Sequence, residues 1–255
     1  MAGVARTLVI ALGVAAATGS SGYLVSTRVM RRRSAAVDRL AHDIPVHSAY
    51  WRDQARREGD LLYVAIGDSA AQGIGGSRPD RSYVGLVARD IRRLSGRTVR
   101  VVNLSQSGGR LREALAKQVP ALKKLSPDVV TVSVGANDIA TFDAERFDRE
   151  LRALYDALPP HAIVAELPSF YFGAFERRVR EANSLVKREA KKRGFRLARL
   201  HRVTVGRTAA RTAFRDVAGD FFHPNDRGYV VWASAFAPLV AARVAELLQD
   251  RPVRA

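Results

Sequence analysis

Four short motifs supply, in chain order, side chains that could together perform nucleophilic chemistry. They are residues 67–69 (Gly-Asp-Ser), 103–108 (Asn-Leu-Ser-Gln-Ser-Gly), 135–138 (Gly-Ala-Asn-Asp) and 220–223 (Asp-Phe-Phe-His). Each motif alone is weak evidence, because polar and glycine-containing turns follow strands in every α/β protein. All four, however, follow or close plausible core segments. Together they predict a nucleophile, two oxyanion donors and an acid-base pair.

Ser69 is the candidate nucleophile, with His223 as its base and Asp220 as the acid that orients the base. A serine hydroxyl attacks a carbonyl only when a base takes its proton. With two residues between them in a loop, Asp220 can accept a hydrogen bond from Nδ1 of His223, which leaves Nε2 to face Ser69. For each fragment taken alone, capping of a helix N-terminus is the commoner role.

Gly108 and Asn137 are the candidate oxyanion donors. Acyl transfer creates an oxyanion, and each preorganised donor to it is worth about 3–4 kcal/mol of barrier. Gly108 can offer its backbone N–H at close range because it has no side chain, and Asn137 can offer its side-chain amide. Read singly, Gly108 fits a flexible turn and Asn137 an Asx-turn. Their occurrence together with Ser69 favours the donor roles.

Three adjacent aromatic residues follow the fourth predicted strand. Phe170, Tyr171 and Phe172 lie in the segment Leu-Pro-Ser-Phe-Tyr-Phe-Gly over residues 167–173. On the rim that carries the four motifs, they are candidate substrate-binding residues for an acyl or leaving group. Local packing over the edge of the sheet is the alternative.

We predict no metal and no cofactor. The chain lacks cysteine, and its histidines do not form a His-Glu-x-x-His or similar ligand set. The glycines of residues 73–76 lack the GxGxxG spacing of a dinucleotide loop, and GxxxxGK[ST] is absent. The absence of cysteine also excludes disulfides and a thiol nucleophile.

The elements that must position these residues alternate along the chain from residue 61. Apolar runs typical of strands alternate with amphipathic helical runs, which is the pattern of a parallel sheet covered on both faces. The predicted strands are residues 61–66, 99–104, 129–134, 162–167 and 195–200, and the predicted helices are residues 83–94, 111–125, 144–158, 174–193 and 226–248. Ligands of such sheets bind at the carboxyl ends of the strands, where the four motifs lie.

The N-terminal part differs from this core. Residues 8–25 carry no charge over about 18 positions, the lower limit for a membrane-spanning helix. A cleaved signal peptide and a buried core helix are the alternatives, and the arginines at 28 and 31–33 oppose export of the downstream chain. We predict an anchor or signal segment over residues 1–33, a charged helical stalk over 34–59 and the catalytic domain over 60–250. The protein is then membrane-anchored or exported and bacterial, with its sidedness open.

The net charge is strongly positive. The formal charge of +17, from 42 basic and 25 acidic residues, favours contact with anionic surfaces, although a solvated arginine-rich surface is the commoner explanation. No zinc-finger, RNA-recognition or helix-turn-helix signature is evident, so we expect no nucleic-acid partner, whereas the N-terminal segment predicts a membrane contact.

Taken together, the four motifs resemble those of the GDSL or SGNH hydrolase family, which is named for the Ser, Gly, Asn and His of its four blocks. Ser69, Gly108, Asn137 and His223 match those four positions, and the resemblance spans roughly residues 61–241. One departure is Ala70, where the family usually has leucine. A Gly-x-Ser-x-Gly elbow is absent, which disfavours an α/β-hydrolase.

The resemblance implies a fold and an activity. The fold is a flavodoxin-like three-layer α/β/α sandwich around a five-stranded parallel sheet. The activity is that of a metal-independent serine esterase or lipase, which hydrolyses lipid or small acyl esters through an acyl-enzyme, with the N–H groups of Ser69 and Gly108 and the Asn137 amide as the oxyanion hole. A cell-envelope O-acetyl esterase or acyltransferase, and a non-catalytic binding domain, are the alternatives.

Overall fold

The structure is a computed structural model that describes residues 20–170, 173–205 and 215–250, with side chains described from residue 34. Five apolar segments form strands, and each begins at the predicted residue or one residue later. They are β1 (Leu61–Gly67), β2 (Val99–Asn103), β3 (Val129–Ser133), β4 (Ile163–Ala165) and β5 (Arg196–Ala198). The last two are shorter than predicted, and β5 ends early because Leu200 already begins a helix.

The five strands pair in parallel in the order β2-β1-β3-β4-β5. This is the flavodoxin-like order, in which the chain first adds β2 on one side of β1 and then adds β3 on the other. The reversal opens a crevice at the carboxyl ends of β1 and β3, which is where ligands of open α/β sheets bind. Ser69 follows β1 and Asn137 follows β3, so both candidate residues lie at this crevice.

Helices connect and cover the strands. They are α1 (Ser20–Arg56), α2 (Ser69–Gln72), α3 (Tyr83–Ser95), α4 (Leu111–Glu113), α5 (Val119–Leu122), α6 (Ala144–Asp156), α7 (Gly173–Lys192), α8 (Leu200–Val205) and α9 (Asp226–Asp250). Short 3₁₀ helices span Pro79–Arg81 and Ala136–Thr141, and a π-helical turn spans Ala114–Gln118.

The two faces of the sheet pack against different helices. On β1, Leu61, Tyr63 and Ala65 belong to a buried cluster with α3 and α9, whereas Val64 and Ile66 belong to a second cluster with α6 and α7. Successive side chains of a strand point to opposite faces, so a strand buried on both faces is apolar throughout. The predicted three-layer α/β/α sandwich with a five-stranded parallel sheet is confirmed.

The predicted helix over residues 111–125 is not a regular α-helix. Between α4 and α5 the backbone makes a π-helical turn, in which the N–H of Val119 donates to the carbonyl of Ala114, five residues earlier. Pro120 follows directly and has no N–H to continue the α-helical ladder. The turn places the buried side chain of Gln118 under the crevice.

Residues 34–59, predicted as a stalk, are helical up to Arg56 and pack against the domain at their end. Trp51 is buried in the same cluster as α3 and α9, and the Arg100 side chain donates to the carbonyl of Ala55 at 2.8 Å. Helix α1 is therefore attached to the sheet edge through its last turns. Most of the predicted anchor, residues 1–19, lies outside the described residues.

Among the described residues, α9 is the one helix long and apolar enough to cross a membrane. Its residues Trp232, Phe236, Val240 and Val244 are buried against the sheet and α3. A core helix of a globular domain passes the same test of length and composition, so α9 is weak evidence for a membrane anchor.

Candidate active site

Ser69 is the first residue of α2 and lies two positions beyond the end of β1. The capping role left open for Ser69 belongs to Asp68, whose Oδ1 accepts the N–H of Ala70 at 3.0 Å. The Ser69 hydroxyl is thereby left for another partner. Gly67 permits the tight turn, because a Cβ there would lie 2.6 Å from the Cβ of Ala71 and 2.9 Å from a β3 carbonyl. We call residues 67–73 the nucleophile turn.

His223 links Ser69 to Asp220 by two hydrogen bonds. Its Nδ1 is 2.6 Å from Oδ2 of Asp220, and its Nε2 is 2.9 Å from Oγ of Ser69. An ionised carboxylate only accepts, so Nδ1 carries the proton and Nε2 accepts from the Ser69 hydroxyl. The structure thus brings together the three predicted residues in the arrangement needed for proton transfer from a serine to a histidine.

The histidine loop, residues 216–225, is held by hydrogen bonds between its own residues. Oδ1 of Asp220 accepts the N–H groups of Phe222 and His223, both at 3.1 Å, and the N–H of Ala218 donates to the carbonyl of His223 at 2.7 Å. Phe221 has a φ of +59°, in the left-handed region that non-glycine residues seldom occupy. The loop therefore fixes the orientation of His223 before any substrate binds.

The buried carboxyl groups at the crevice differ in pKa. Burial raises the pKa of Asp220, but the hydrogen bond from His223, the electrostatic attraction to its imidazole and the two backbone N–H groups outweigh it, so the pKa lies below the ordinary value. Burial raises the pKa of Asp68 to about 6, against the hydrogen bond from Ala70. Burial likewise raises the pKa of Asp138 to about 6, against the hydrogen bond from the N–H of Leu111. Asp220 is thus the carboxylate that stays ionised most readily.

The predicted oxyanion donors Gly108 and Asn137 follow β2 and β3 at the crevice. Gly108 lies in the oxyanion loop, residues 105–109, with a φ of +72° that glycine adopts without strain. The N–H of Gly109 donates to the carbonyl of Gln106 at 2.9 Å, whereas within the described residues the N–H groups of Gly108 and Ser69 have no protein acceptor. Those two N–H groups are therefore available to a bound oxygen.

Asn137 is the second residue of the 3₁₀ helix after β3 and is buried. Its Nδ2 donates to the carbonyl of Gly109 at 2.9 Å and makes a longer contact of 3.4 Å with Oδ2 of Asp68. The first bond ties Asn137 to the oxyanion loop. The second, which is long for a hydrogen bond, directs the remaining amide hydrogen toward the nucleophile turn.

Two glutamines that sequence reasoning did not single out hold the crevice together. Gln118 accepts from the N–H of Gly67 at 3.0 Å and donates to its carbonyl at 2.8 Å. Gln72 lies three residues after Ser69 and contacts the oxyanion loop through its side chain. Neither residue had a sequence signal beyond the proximity of Gln72 to the first motif, because an amide side chain has no periodic pattern.

Of the three predicted substrate-binding aromatics, Phe170 is described, whereas Tyr171 and Phe172 lie outside the described residues. The Phe170 ring lies edge-on to that of Phe222 at 5.9 Å, and Phe222 in turn lies edge-on to the imidazole of His223 at 5.1 Å. Phe222 is 40% exposed although it is apolar. It is a site residue that the sequence reasoning quoted within a motif without assigning it a role.

A buried network fixes the backbone at Phe170. Oε2 of Glu176 accepts the N–H of Phe170 at 2.8 Å and the hydroxyl of Ser169 at 3.0 Å, and Oε1 accepts from Nε2 of His201 at 2.8 Å. His201, predicted at the end of a strand, lies instead in α8. This network fixes the position of the backbone that carries the Phe170 ring.

A cavity of about 700 Å³ lies on the far side of the histidine loop. Gly75 and Ala218 line one wall, and Ala36 and Arg39 of α1 line the other. Ser69, His223 and Asn137 do not line it. In the portion of the chain that the structure describes, His, Asp and Glu side chains form no group of three or more that could hold a metal ion.

Comparisons with known proteins identify the family of the chain. A family model described as the GDSL-like lipase/acylhydrolase family matches residues 65–231. A search of curated proteins finds no match.

Solved structures with the same fold are numerous. LAE5, an alpha/beta hydrolase enzyme from the metagenome of Lake Arreo, Spain, is 23% identical with a TM-score of 0.60, covering 74% of this chain and 99% of that one. Axe2, an acetylxylan esterase from Geobacillus stearothermophilus, is 20% identical with a TM-score of 0.59, covering 71% and 94%. A lipase/acylhydrolase from Enterococcus faecalis is 20% identical with a TM-score of 0.58, covering 72% and 96%.

At these identities the structural likeness supports the fold, and the family match supplies the activity. The matched residues 65–231 include all four motifs and amount to more than half of the chain. The chain therefore belongs to the GDSL-like lipase/acylhydrolase family and is a carboxylic-ester hydrolase.

Proposed function

We propose that Ser69, His223 and Asp220 are the catalytic triad of a metal-independent esterase that works through an acyl-enzyme. The observation that carries the proposal is the continuous hydrogen-bond chain from Ser69 Oγ to His223 Nε2, and from His223 Nδ1 to Asp220 Oδ2, at 2.9 and 2.6 Å. The depressed pKa of Asp220 supports it, because an ionised carboxylate stabilises the imidazolium that forms during the reaction.

The reaction has two halves. Ser69 Oγ attacks the ester carbonyl while His223 Nε2 takes its proton, and His223 then protonates the departing alcohol. Water next attacks the acyl-enzyme with His223 again as base, and the carboxylic acid leaves as Ser69 regains its proton. In both halves the carbonyl oxygen becomes an oxyanion, which the N–H groups of Ser69 and Gly108 and the Asn137 amide stabilise.

The substrate that we propose is a lipid or other ester with an apolar acyl group. The exposed Phe222 ring, packed between Phe170 and His223, offers an apolar surface directly beside the reacting centre. Tyr171 and Phe172 are proposed to extend this surface. The second candidate is an O-acetyl esterase or acyltransferase of the cell envelope, favoured by the structural likeness to an acetylxylan esterase.

We further propose that residues 1–33 attach the protein to a bacterial membrane and that residues 34–59 lead to the hydrolase domain, residues 60–250. The support is the uncharged run over residues 8–25 and the helix α1, which runs from Ser20 to Arg56 with Pro45 inside it and carries the buried Trp51. A membrane-anchored position would bring the domain close to lipid esters.

Hydrolysis of p-nitrophenyl esters from acetate to long acyl chains tests the proposal. We expect Ser69→Ala and His223→Ala to lower kcat by at least about 10³-fold, because each removes a group on which the others depend. Ser234→Ala and His42→Ala are matched controls, since both residues are exposed and contact carbonyls of their own helices. Retention of activity by Ser69→Ala would contradict the mechanism.

The same assay separates the substrate classes. A preference for acyl chains longer than acetyl supports a lipid-like ester. Activity that does not rise with acyl length beyond acetyl contradicts it, and activity on acetate alone supports the acetyl esterase. With a sugar acceptor added, formation of an acylated sugar in place of free acid identifies a transferase.

Cell fractionation tests the membrane attachment. Activity that sediments with the membrane fraction supports the anchor, and activity confined to the soluble fraction contradicts it.

A further inference from the structure

We propose that Gln72 positions the oxyanion loop and that α1 holds Gln72 in place, which makes the N-terminal helix part of the catalytic unit. This inference rests on the proposed function, because it concerns the hole that receives the oxyanion. Gln72 does not touch the reacting atoms, so we describe it as a positioning residue.

The side chain of Gln72 binds the oxyanion loop at two points. Its Nε2 donates to the carbonyl of Ser105 at 3.1 Å, and its Oε1 accepts the hydroxyl of Ser107 at 2.5 Å. Ser107 directly precedes Gly108, whose N–H is a proposed oxyanion donor. Both ends of one planar amide therefore fix the backbone on which that donor is carried.

The backbone of Gln72 is held by α1. Its carbonyl accepts from Nε1 of Trp51 at 2.9 Å and from Nδ1 of His47 at 3.0 Å. A carbonyl only accepts, so Nδ1 of His47 carries the proton in this contact. Gln72, His47 and Trp51 are all buried, and the carbonyl lies at the C-terminal end of α2, where helix carbonyls lack intrahelical partners.

The nucleophile and the oxyanion donor thus share one support. Helix α2 begins with Ser69 and ends with Gln72, so the rigid turn that carries the nucleophile also carries the amide that holds the oxyanion loop. His47 and Trp51 lie outside residues 65–231, the part matched by the family model. The attachment of α1 is therefore a property of this chain in addition to the four motifs.

Gln72→Leu in the full-length protein tests the side-chain contacts. Leucine keeps most of the volume and removes both bonds, so we expect kcat to fall about 10–100-fold with KM within about 3-fold, because a small misplacement of a donor weakens transition-state binding more than substrate binding. A boronic acid that forms a tetrahedral adduct with the serine should lose affinity in parallel. Gln249→Leu is the control for the same substitution, since Gln249 is exposed on α9, away from both the crevice and α1.

Ser107→Ala and Ser107→Thr provide a second variant pair, should Gln72→Leu fold poorly. Alanine removes the hydroxyl that donates to Gln72, and threonine restores it. We expect kcat and boronate affinity to fall in the alanine variant and to recover in the threonine variant. A merely structural role would lower the midpoint of thermal unfolding without changing kcat per folded molecule.

Trp51→Phe tests the link to α1, because it removes the N–H donor and keeps an aromatic ring. We expect a fall in kcat of about 3–10-fold, and no further fall when Trp51→Phe is added to Gln72→Leu, since coupled residues are not additive. Additive losses would overturn the α1 link. If Gln72→Leu and Ser107→Ala keep the wild-type kcat and boronate affinity while Ser69→Ala is inactive, the inference about Gln72 is wrong and the proposed function stands. If Ser69→Ala is active, both the proposed function and the inference are wrong.

Discussion

Asp68 in the nucleophile turn and Asp220 in the histidine loop are the same residue type, each only 5% exposed, and their pKa values shift in opposite directions. Both accept backbone N–H groups, Asp68 from Ala70 and Asp220 from Phe222 and His223. Asp220 alone also accepts from an imidazole, at 2.6 Å. For a buried carboxyl group, a partner that can take a positive charge decides whether the group stays ionised.

The largest expected effect tests the charged partner. Asp220→Asn keeps the shape of the side chain but removes the charge that, in the proposed mechanism, stabilises the His223 imidazolium, and it removes the acceptor that selects the histidine tautomer. We expect kcat to fall by about 10³–10⁴-fold with KM little changed, measured with the preferred p-nitrophenyl ester. A loss below about 10-fold would mean that the histidine loop orients His223 without Asp220.

The next largest expected effect is on the free energy of unfolding, and we expect opposite signs for the substitutions Asp68→Asn and Asp220→Asn. Because burial raises the pKa of Asp68 to about 6, the folded protein binds this proton more tightly than the unfolded chain, and stability is lost as the pH rises from about 4 to about 6. Asp68→Asn does not titrate. We therefore expect it to be more stable than the wild type by about 1–3 kcal/mol at pH 8, and nearly equal to it at pH 4.

Urea denaturation at several pH values measures both variants. For Asp220 the pKa is depressed, so its contribution to stability is present above the ordinary pKa of aspartate and is lost as the pH falls below it. Asp220→Asn should therefore be less stable than the wild type at pH 7, with a difference that narrows in acid. If both substitutions changed the free energy of unfolding in the same direction at neutral pH, the proposed difference between Asp68 and Asp220 would be wrong.

The smallest expected effect is on KM and concerns the exposed side chain of Phe222. The nucleophile turn is buried from Ser69 to Gln72, whereas the histidine loop carries the exposed Phe222. If the loop also binds the acyl group, Phe222→Ala should raise KM for long-chain esters by about 3–10-fold and leave KM for acetate nearly unchanged, since it removes apolar contact area. Val230→Ala is the matched control, because Val230 is an exposed apolar residue on α9. An equal rise for every ester would argue against an acyl-binding role.

The strands and their carboxyl-end motifs could be predicted from sequence because both depend on local patterns. Apolar runs such as the one ending at Ile66 mark strands buried on both faces, and parallel pairing then brings the residues that follow β1 and β3 to one edge. The roles of Gln72, Gln118 and Trp51 depend on contacts between distant segments and a π-helical turn. Neither the residue type nor its spacing carries a signal for such contacts.

The hydrogen bond between Ser69 and His223 joins residues 154 positions apart in the chain. Between them lie the parallel crossovers from β1 to β5, and His223 is followed closely by α9, which packs against α3 from the first half of the domain. Contacts of such long range form slowly and late in folding. On the proposed mechanism, a ribosome-bound chain that has not yet emerged beyond α8 carries the proposed nucleophile without its proposed base, and we expect hydrolytic activity only when synthesis of the domain is almost complete.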